Sequence, residues 1–279
     1  MAGKLYIYHD VTELSMPESQ HLNHKNMEDA KPSILYGINP VLEALKAGIR
    51  VCHQIVVKEK NSNSRIQSVL ALAGSLKVKV LTLPQKEFQQ QYGNYAHQNI
   101  IGYFSPRKPL ELNDIISQAL KAEPTPTLVL LDGIQDPQNL GAIIRAAQTL
   151  GVQGVILPER RSAQLTETVA KCSAGAIERL SIATVNNLVQ TVERLKKMGF
   201  WIVGVDANGK TPCHEFKFDM PVALVIGGEE KGIRPLLRKN CDFTIHIPMT
   251  GTLDSLNAAT ASAVVFYEIL RQKKTVRNP

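Results

Sequence analysis

Cysteine is scarce and unpatterned in this chain. Cys52, Cys172, Cys213 and Cys241 stand far apart with no CxxC among them. That spacing offers neither a disulfide framework nor a thiolate zinc site, and reduced thiols in a cytoplasmic protein are the expectation. The histidines form no HExxH and share no zinc-type spacing with the cysteines, so no metal is expected. No apolar run approaches the ~18 residues of a membrane-spanning helix, so no membrane partner is expected either. The first 32 residues are polar and lack the apolar core of a signal sequence; they read as a mobile arm. Aromatic residues make up only 5%, which argues against a base-stacking platform. Internal repeats, low-complexity tracts and any evident Ser/His/Asp set are likewise missing.

What is present is enough apolar residue for real cores, 44% of a 279-residue chain, and a formal net charge of +7. A positive excess of this size speaks to association with an acidic partner, not to fold. The basic residues are spread out: Lys58 and Lys60, Lys77 and Lys79, Arg160 and Arg161, Lys196 and Lys197, then a basic tail of Arg271, Lys273, Lys274 and Arg277. Each pair reads either as a solvated face or as part of a phosphate footprint.

Periodicity divides the chain. Residues 33–105 alternate short helices and strands, with Asn39 a candidate cap for a helix through Val41, Leu42 and Leu45. Residues 106–126 carry Pro106, Pro109, Pro124 and Pro126 around a short amphipathic stretch, which is linker composition. Residues 127–279 form a second α/β domain. Leu128–Leu131, Val155–Leu157, Phe200–Val205, Val222–Ile226 and Thr244–Ile247 read as strands, alternating with helical periods such as Leu140, Ile143, Ile144 and Ala147. Strands and helices in that alternation imply a mostly parallel sheet covered on both faces.

Gly204–Thr211 fits the P-loop pattern GxxxxGK[ST] letter for letter. A phosphate cradle needs a helix directly after Thr211. The residues that follow, Pro212-Cys213-His214-Glu215, have no clean helical face, and Asp206 puts a negative charge in the loop. A turn is the expectation, and a P-loop nucleotide hydrolase the alternative it competes with.

Three short segments fall where apolar strand runs give way to loop or helix, the place where open α/β sheets bind ligands. They are Asn139-Leu140-Gly141-Ala142-Ile143-Ile144-Arg145, Gly227-Gly228-Glu229, and Ile247-Pro248-Met249 followed by Ser255-Leu256-Asn257. They offer glycines, main-chain amides, a guanidinium, a carboxylate, a hydroxyl and carboxamides. Such a set suits orientation of an organic cofactor and a polyanion better than hydrolysis by a nucleophilic side chain.

Taken in order, these segments resemble the SpoU/TrmH group of SPOUT RNA ribose 2′-O-methyltransferases, over about residues 127–272. Leu35-Tyr36-Gly37-Ile38-Asn39-Pro40-Val41 and His97-Gln98-Asn99-Ile100-Ile101 are similar to the opening and closing stretches of an L30e-like RNA-binding appendage of that family. The resemblance implies an N-terminal L30e-like α/β domain and a C-terminal trefoil-knotted domain with a mostly parallel sheet and helices on both faces. It further implies a homodimer with active sites at the interface, S-adenosylmethionine as cofactor, and RNA as partner. A guanosine of 23S rRNA is the implied target, with a tRNA enzyme or a non-catalytic rRNA-binding or assembly protein as alternatives. Ala258 and Ala259 depart from the Val and Ser of many members.

On that resemblance Asn139, Arg145, Glu229, Ser255 and Asn257 are the catalytic candidates. Gly227, Gly228, Ile247, Pro248, Met249 and Leu256 are the candidates to hold the cofactor through main chain. An arginine stays protonated in proteins and makes a poor general base, so Arg145 is expected to hold a phosphate and steady a developing alkoxide. The plainer alternatives are a surface arginine at 145, a helix cap at Asn139 or Ser255, a solvated acid at Glu229, and a strand-end turn at Gly227–Gly228. His97, Trp201 and the cysteines read as structural.

Overall fold

A computed structural model describes residues 32–228, 231–252 and 255–277, the last four of these as backbone. The expected N-terminal arm lies outside them, as does Glu229. Two sheets organise the rest. The smaller is built from β1 (Ser33–Tyr36), β2 (Cys52–Lys58), β3 (Lys79–Leu83) and β4 (Ile100–Phe104) in the order β1-β4-β2-β3. It carries α1 (Ile38–Ala47) and α2 (Ser64–Ser75) on one face and α3 (Gln85–Tyr92) on the other.

The larger sheet has seven strands: β5 (Thr127–Asp132), β6 (Gly154–Pro158), β7 (Ser181–Val185), β8 (Trp201–Val205), β9 (Thr211–Pro212), β10 (Val222–Gly227) and β11 (Phe243–His246). All pair in parallel, in the order β7-β6-β5-β10-β8-β11-β9. The helices of this half are α4 (Leu112–Ala122), α5 (Pro137–Thr149), α6 (Glu167–Cys172), α7 (Leu188–Lys197), α8 (Pro235–Lys239) and α9 (Ala258–Arg277), with a 3-10 turn at Ala176–Glu178 between α6 and β7. Among the described residues no helix is long and apolar enough to cross a membrane.

β5 is buried along its whole length, as a central parallel strand with both faces covered must be. Its apolar run was legible; the elements at its borders were less so. Within 106–126, expected as linker, α4 packs Ile115, Ile116 and Ala119 against Leu128, Leu130 and Ile156. The prolines sit outside this helix, where they start and stop it without breaking it.

Several caps differ from expectation by a residue or more. α5 begins at Pro137, capped by Asp136, whose carboxylate accepts from the amides of Gln138 (3.0 Å) and Asn139 (3.3 Å). Proline at the first helical position suits this start, because that amide has no helical partner to lose. Asn139 is therefore not the cap. α7 is capped by Asn187, whose side-chain oxygen accepts from the Val189 and Gln190 amides. α1 starts at Ile38, whose amide donates to the Gln98 side-chain oxygen at 3.1 Å, and Asn39 lies inside the helix.

One apolar cluster runs without interruption from Leu35, Val41 and Ile55 through Val169 and Ile177 to Leu140 and Ile143, so the two sheets share a core. At the junction Gly175 has φ +85° and lies against α1, where an added Cβ would fall 2.8 Å from the Glu43 Cβ and 2.9 Å from the Asn39 carbonyl oxygen. Only glycine meets both conditions.

Gly204–Thr211 is not a phosphate loop. Asn208 donates its amide to the Asp206 carboxylate at 2.8 Å and Gly209 to the Asp206 carbonyl at 2.8 Å. Thr211 then enters β9 and pairs with β11. A strand stands where the cradle needs a helix, so the P-loop alternative loses its footing.

His97 closes the turn before β4. Its Nδ1 accepts from the Asn99 amide at 2.9 Å and its ring meets Phe88 edge-on. Burial, then Lys58 and Lys171, push its pKa below the ordinary 6.5. A depressed histidine pKa stabilises the fold at a pH above the unfolded value, and that contribution is lost as pH falls from 6.5 towards the folded value. The melting temperature is expected to drop on acidification through this window, and to drop less in His97→Asn. Equal slopes in the two proteins would remove His97 as the cause.

Candidate active site

The strand order reverses between β5 and β10, and ligands of open α/β sheets bind beyond the carboxyl ends of the strands at such a point. The loops there are drawn tightly together. The Gly228 amide donates to the Asp132 carbonyl at 2.8 Å, and the Gly232 amide donates to the Gly228 carbonyl at 2.9 Å. A Cβ on Gly227 would lie 2.0 Å from the Gly232 carbonyl carbon, and one on Gly228 would lie 2.6 Å from the Gly133 carbonyl oxygen. At Gly227 the group that comes close is the chain's own main chain at Gly232–Ile233.

Asp132 ends β5 with its side chain almost fully buried. It accepts from the Arg234 amide at 2.9 Å and from the Arg234 Nε at 2.7 Å. This pair braces the end of β5 against the start of α8. The signal for it was a carboxylate closing an apolar strand, which needs a cationic partner once buried; nothing in the sequence pointed to Arg234 as that partner.

Two helix starts meet beside this brace. Asn257 caps α9, its Oδ1 accepting from the amides of Ala259 (2.9 Å) and Thr260 (3.2 Å). Its Nδ2 donates to the Asn139 Oδ1 at 3.0 Å, linking the first turns of α5 and α9. The last helix thus begins at Ala258 with Asn257 as its cap, not at Ser255, which is exposed two residues earlier. Both helices direct the positive ends of their dipoles to this corner, their first amides already taken up by Asp136 and Asn257.

Met249 and Leu256 are exposed, at 40% and 39%, and so is Pro248, while Ile247 is partly buried. Among the described residues no hydrogen bond engages the main chain of Ile247, Met249 or Leu256. Arg145 lies on the exposed face of α5 with Gln138 and Ala142. Six residues after Asn139, it sits ~9 Å further along the axis and about 240° round it. Among the described residues it has neither an ion pair nor a hydrogen bond. The structure therefore joins Asn139 to Asn257, and leaves Arg145 facing solvent.

The thiols are held in their neutral form. Burial pushes the Cys52 and Cys241 thiols up to about 11 and raises Cys213 as well, so these sulfurs stay protonated and weakly nucleophilic. No group of His, Cys, Asp or Glu able to hold a metal ion occurs among the described residues.

Residues 126–267 match the model of the SpoU rRNA Methylase family. Residues 34–110 match that of RNA 2′-O ribose methyltransferase substrate binding. A Staphylococcus aureus protein assigned to the TrmH family of tRNA/rRNA methyltransferases is 38% identical over 250 residues, spanning 90% of this chain and 99% of its own length. The chain belongs to the SpoU/TrmH family of RNA methyltransferases.

Solved SpoU/TrmH-type structures agree with this assignment. The AdoMet-bound rRNA methyltransferase of Sinorhizobium meliloti superposes with a TM-score of 0.71 at 25% identity, covering 86% of this chain and 87% of that one. The SpoU methyltransferase AviRb of Streptomyces viridochromogenes shares the fold with a TM-score of 0.72 at 24% identity, over 88% and 91% of the two chains. In this SpoU/TrmH chain the Asn139–Asn257 contact brings the first and third motif segments together across 118 residues of sequence. Gly227–Gly228, from the second, packs against Gly133 and Gly232.

Proposed function

We propose that this protein transfers a methyl group from S-adenosylmethionine to a ribose 2′-hydroxyl of RNA, with a guanosine of 23S rRNA as target. The observation that carries the reading is the Asn139–Asn257 contact, which sets two helix N-termini beside open main chain at the switch point of the sheet. The cofactor fits this corner: Ile247, Met249 and Leu256 offer unengaged amides and carbonyls, and the Met249 and Leu256 side chains offer apolar surface to an adenosine.

When bound, the cofactor supplies a methyl group already activated by sulfonium charge. The protein's task is then alignment and help with the hydroxyl proton. Alignment of two bound reactants is worth ~7–11 kcal/mol of barrier. Asn139 and Asn257, each fixed by the other, hold the two helix starts at a set separation. Arg145 contributes a bidentate grip on the target phosphate and a positive charge near the oxygen as it becomes nucleophilic. The proton passes to a phosphate oxygen or water, since a guanidinium cannot accept it.

The reading includes the trefoil knot and the homodimer of the family. In support, α9 follows the 247–257 segment and returns to pack on α5. It also leaves Thr260, Val264 and Tyr267 as an exposed stripe, with Tyr267 59% open. A second copy seated there would bring further groups to Arg145. The decisive experiment is incubation with labelled cofactor and total RNA from a strain lacking the gene, followed by mapping of ribose methylation through resistance to alkaline hydrolysis. A single alkali-resistant guanosine in 23S rRNA is expected. A resistant site in tRNA would move the target, and no incorporation into any RNA would reject the activity.

A further inference from the structure

Tyrosine is unevenly placed in this molecule. Of the described tyrosines, Tyr36, Tyr92, Tyr95 and Tyr103 gather on one face of the small sheet, and Tyr267 lies elsewhere on α9. Pairing sets Tyr36 opposite Ile101 and Tyr103 opposite Ile34, so both rings leave the sheet on the side of α3. That helix has eight residues and buries only Phe88 and Tyr92, too little to cover the face. Tyr36, Tyr95 and Tyr103 stay partly exposed. The Tyr36 and Tyr95 rings lie 5.1 Å apart, inclined at 41°.

Cations and hydrogen-bonding edges surround the pair. The Lys171 Nζ stands 5.9 Å from the Tyr36 ring centre and donates to the Gln98 Oε1 at 3.2 Å. Lys58 ends β2 on the same side, its amide bonded to the Asn99 carbonyl. Gln98 and Asn99 both take left-handed backbone, with φ 50° and 65°. Successive non-glycine residues there cost energy and recur at ligand-binding turns. The Gln98 Nε2 and the Asn99 carboxamide have no hydrogen-bond partner among the described residues.

We propose that Tyr36 and Tyr95 form a stacking seat for one unpaired nucleotide of the RNA, with Lys171 and Lys58 at its phosphates and Gln98 and Asn99 at its base edge. This rests on the reading of RNA as substrate and adds to it a recognition site for single-stranded nucleotide. Aromatic rings accept any base face, whereas a paired duplex keeps its faces stacked internally. The net charge of +7 suits a polyanion. Lys171 comes from α6 of the larger domain, so the seat spans both halves and ties the position of the nucleotide to the catalytic crevice.

The test is fluorescence anisotropy with a labelled single-stranded oligoadenylate and a blunt RNA duplex of matched length, on the full chain. Tyr95→Leu is expected to weaken single-strand binding by about tenfold or more, the size of one base–aromatic stack, and to leave duplex binding unchanged. Tyr95→Phe keeps wild-type affinity. Lys171→Ala lowers the salt dependence by about 0.7 in the logarithmic slope, one phosphate contact on a single strand. A 2-aminopurine in the oligonucleotide is quenched on binding the wild-type protein, a readout that needs no variant. Equal losses on single strand and duplex, an unaffected Tyr95→Leu, or an unquenched fluorophore would each overturn the proposal. None of these readouts uses methyl transfer, so an enzyme active on ribose can fail here, and a protein with no methyl transfer can still pass.

Discussion

Replacing Arg145 with alanine is expected to lower kcat about 10²–10³-fold, the usual loss when one preorganised electrostatic group is removed from a developing oxyanion. The melting temperature is expected to stay near wild type. Both halves follow from where the residue sits. Arg145 is exposed on α5 with no intramolecular partner among the described residues, so its removal breaks no contact and falls among surface changes worth within about 0.5 kcal/mol. Arg145→Lys retains the charge and is still expected to lose most turnover, because an ammonium cannot offer two parallel N–H groups to a phosphate. RNA affinity, built from many phosphate contacts, should change little in either variant. Single-turnover methyl transfer at saturating RNA, measured beside a thermal melt, separates these effects. Near-normal turnover in Arg145→Ala would reject the assigned role, and a large drop in melting temperature would make the residue structural.

The larger sheet was legible because its strands are short apolar runs ending at Gly, Asp or Pro, as in Leu128–Asp132 and Val222–Gly227. Local pattern carried that far. It misplaced the caps of α5 and α9, because Asp136, Asn139, Ser255 and Asn257 are all good cap residues and only the finished turn selects among them. It gave no sign that a glycine at 227 lets Gly232–Ile233 cross the strand end. It discounted base stacking from an aromatic content of 5%, yet folding concentrates Tyr36, Tyr92, Tyr95 and Tyr103 on one surface. Composition averages over a chain, and a binding surface does not. The Asn139–Asn257 contact was anticipated only in that the family resemblance put both residues in one site; no pattern reaches across 118 residues.

A buried ion cluster gives the second large effect. Glu178, at the 3-10 turn before β7, is fully buried and accepts from the Arg50 Nε at 2.9 Å and from the Arg50 Nη2. Arg107 stands on its other side, with Nη1 3.8 Å from the carboxylate and Nη2 donating to the Leu180 carbonyl at 2.7 Å. Arg50 precedes β2 of the smaller sheet, Arg107 follows β4, and Glu178 precedes β7 of the larger sheet, so one carboxylate holds three parts of the chain. Two cations share one anion, and the Arg107 Nε and Nη1 are buried without hydrogen-bond partners. Burial lowers the pKa of Arg107, which marks the cost of keeping that charge out of water. Glu178→Ala would leave both guanidiniums buried and unpaired, and it is expected to destabilise the protein by ~3–5 kcal/mol, read as the shift in a urea-unfolding midpoint. Replacing all three residues by apolar ones of similar volume, as in Arg50→Met, Arg107→Met and Glu178→Leu together, should restore most of that loss, because buried ion clusters often add little net stability. If the cluster serves to orient the two sheets, the restored triple variant still transfers methyl groups poorly to structured RNA. Normal transfer in a stable triple variant would make the cluster a packing feature alone.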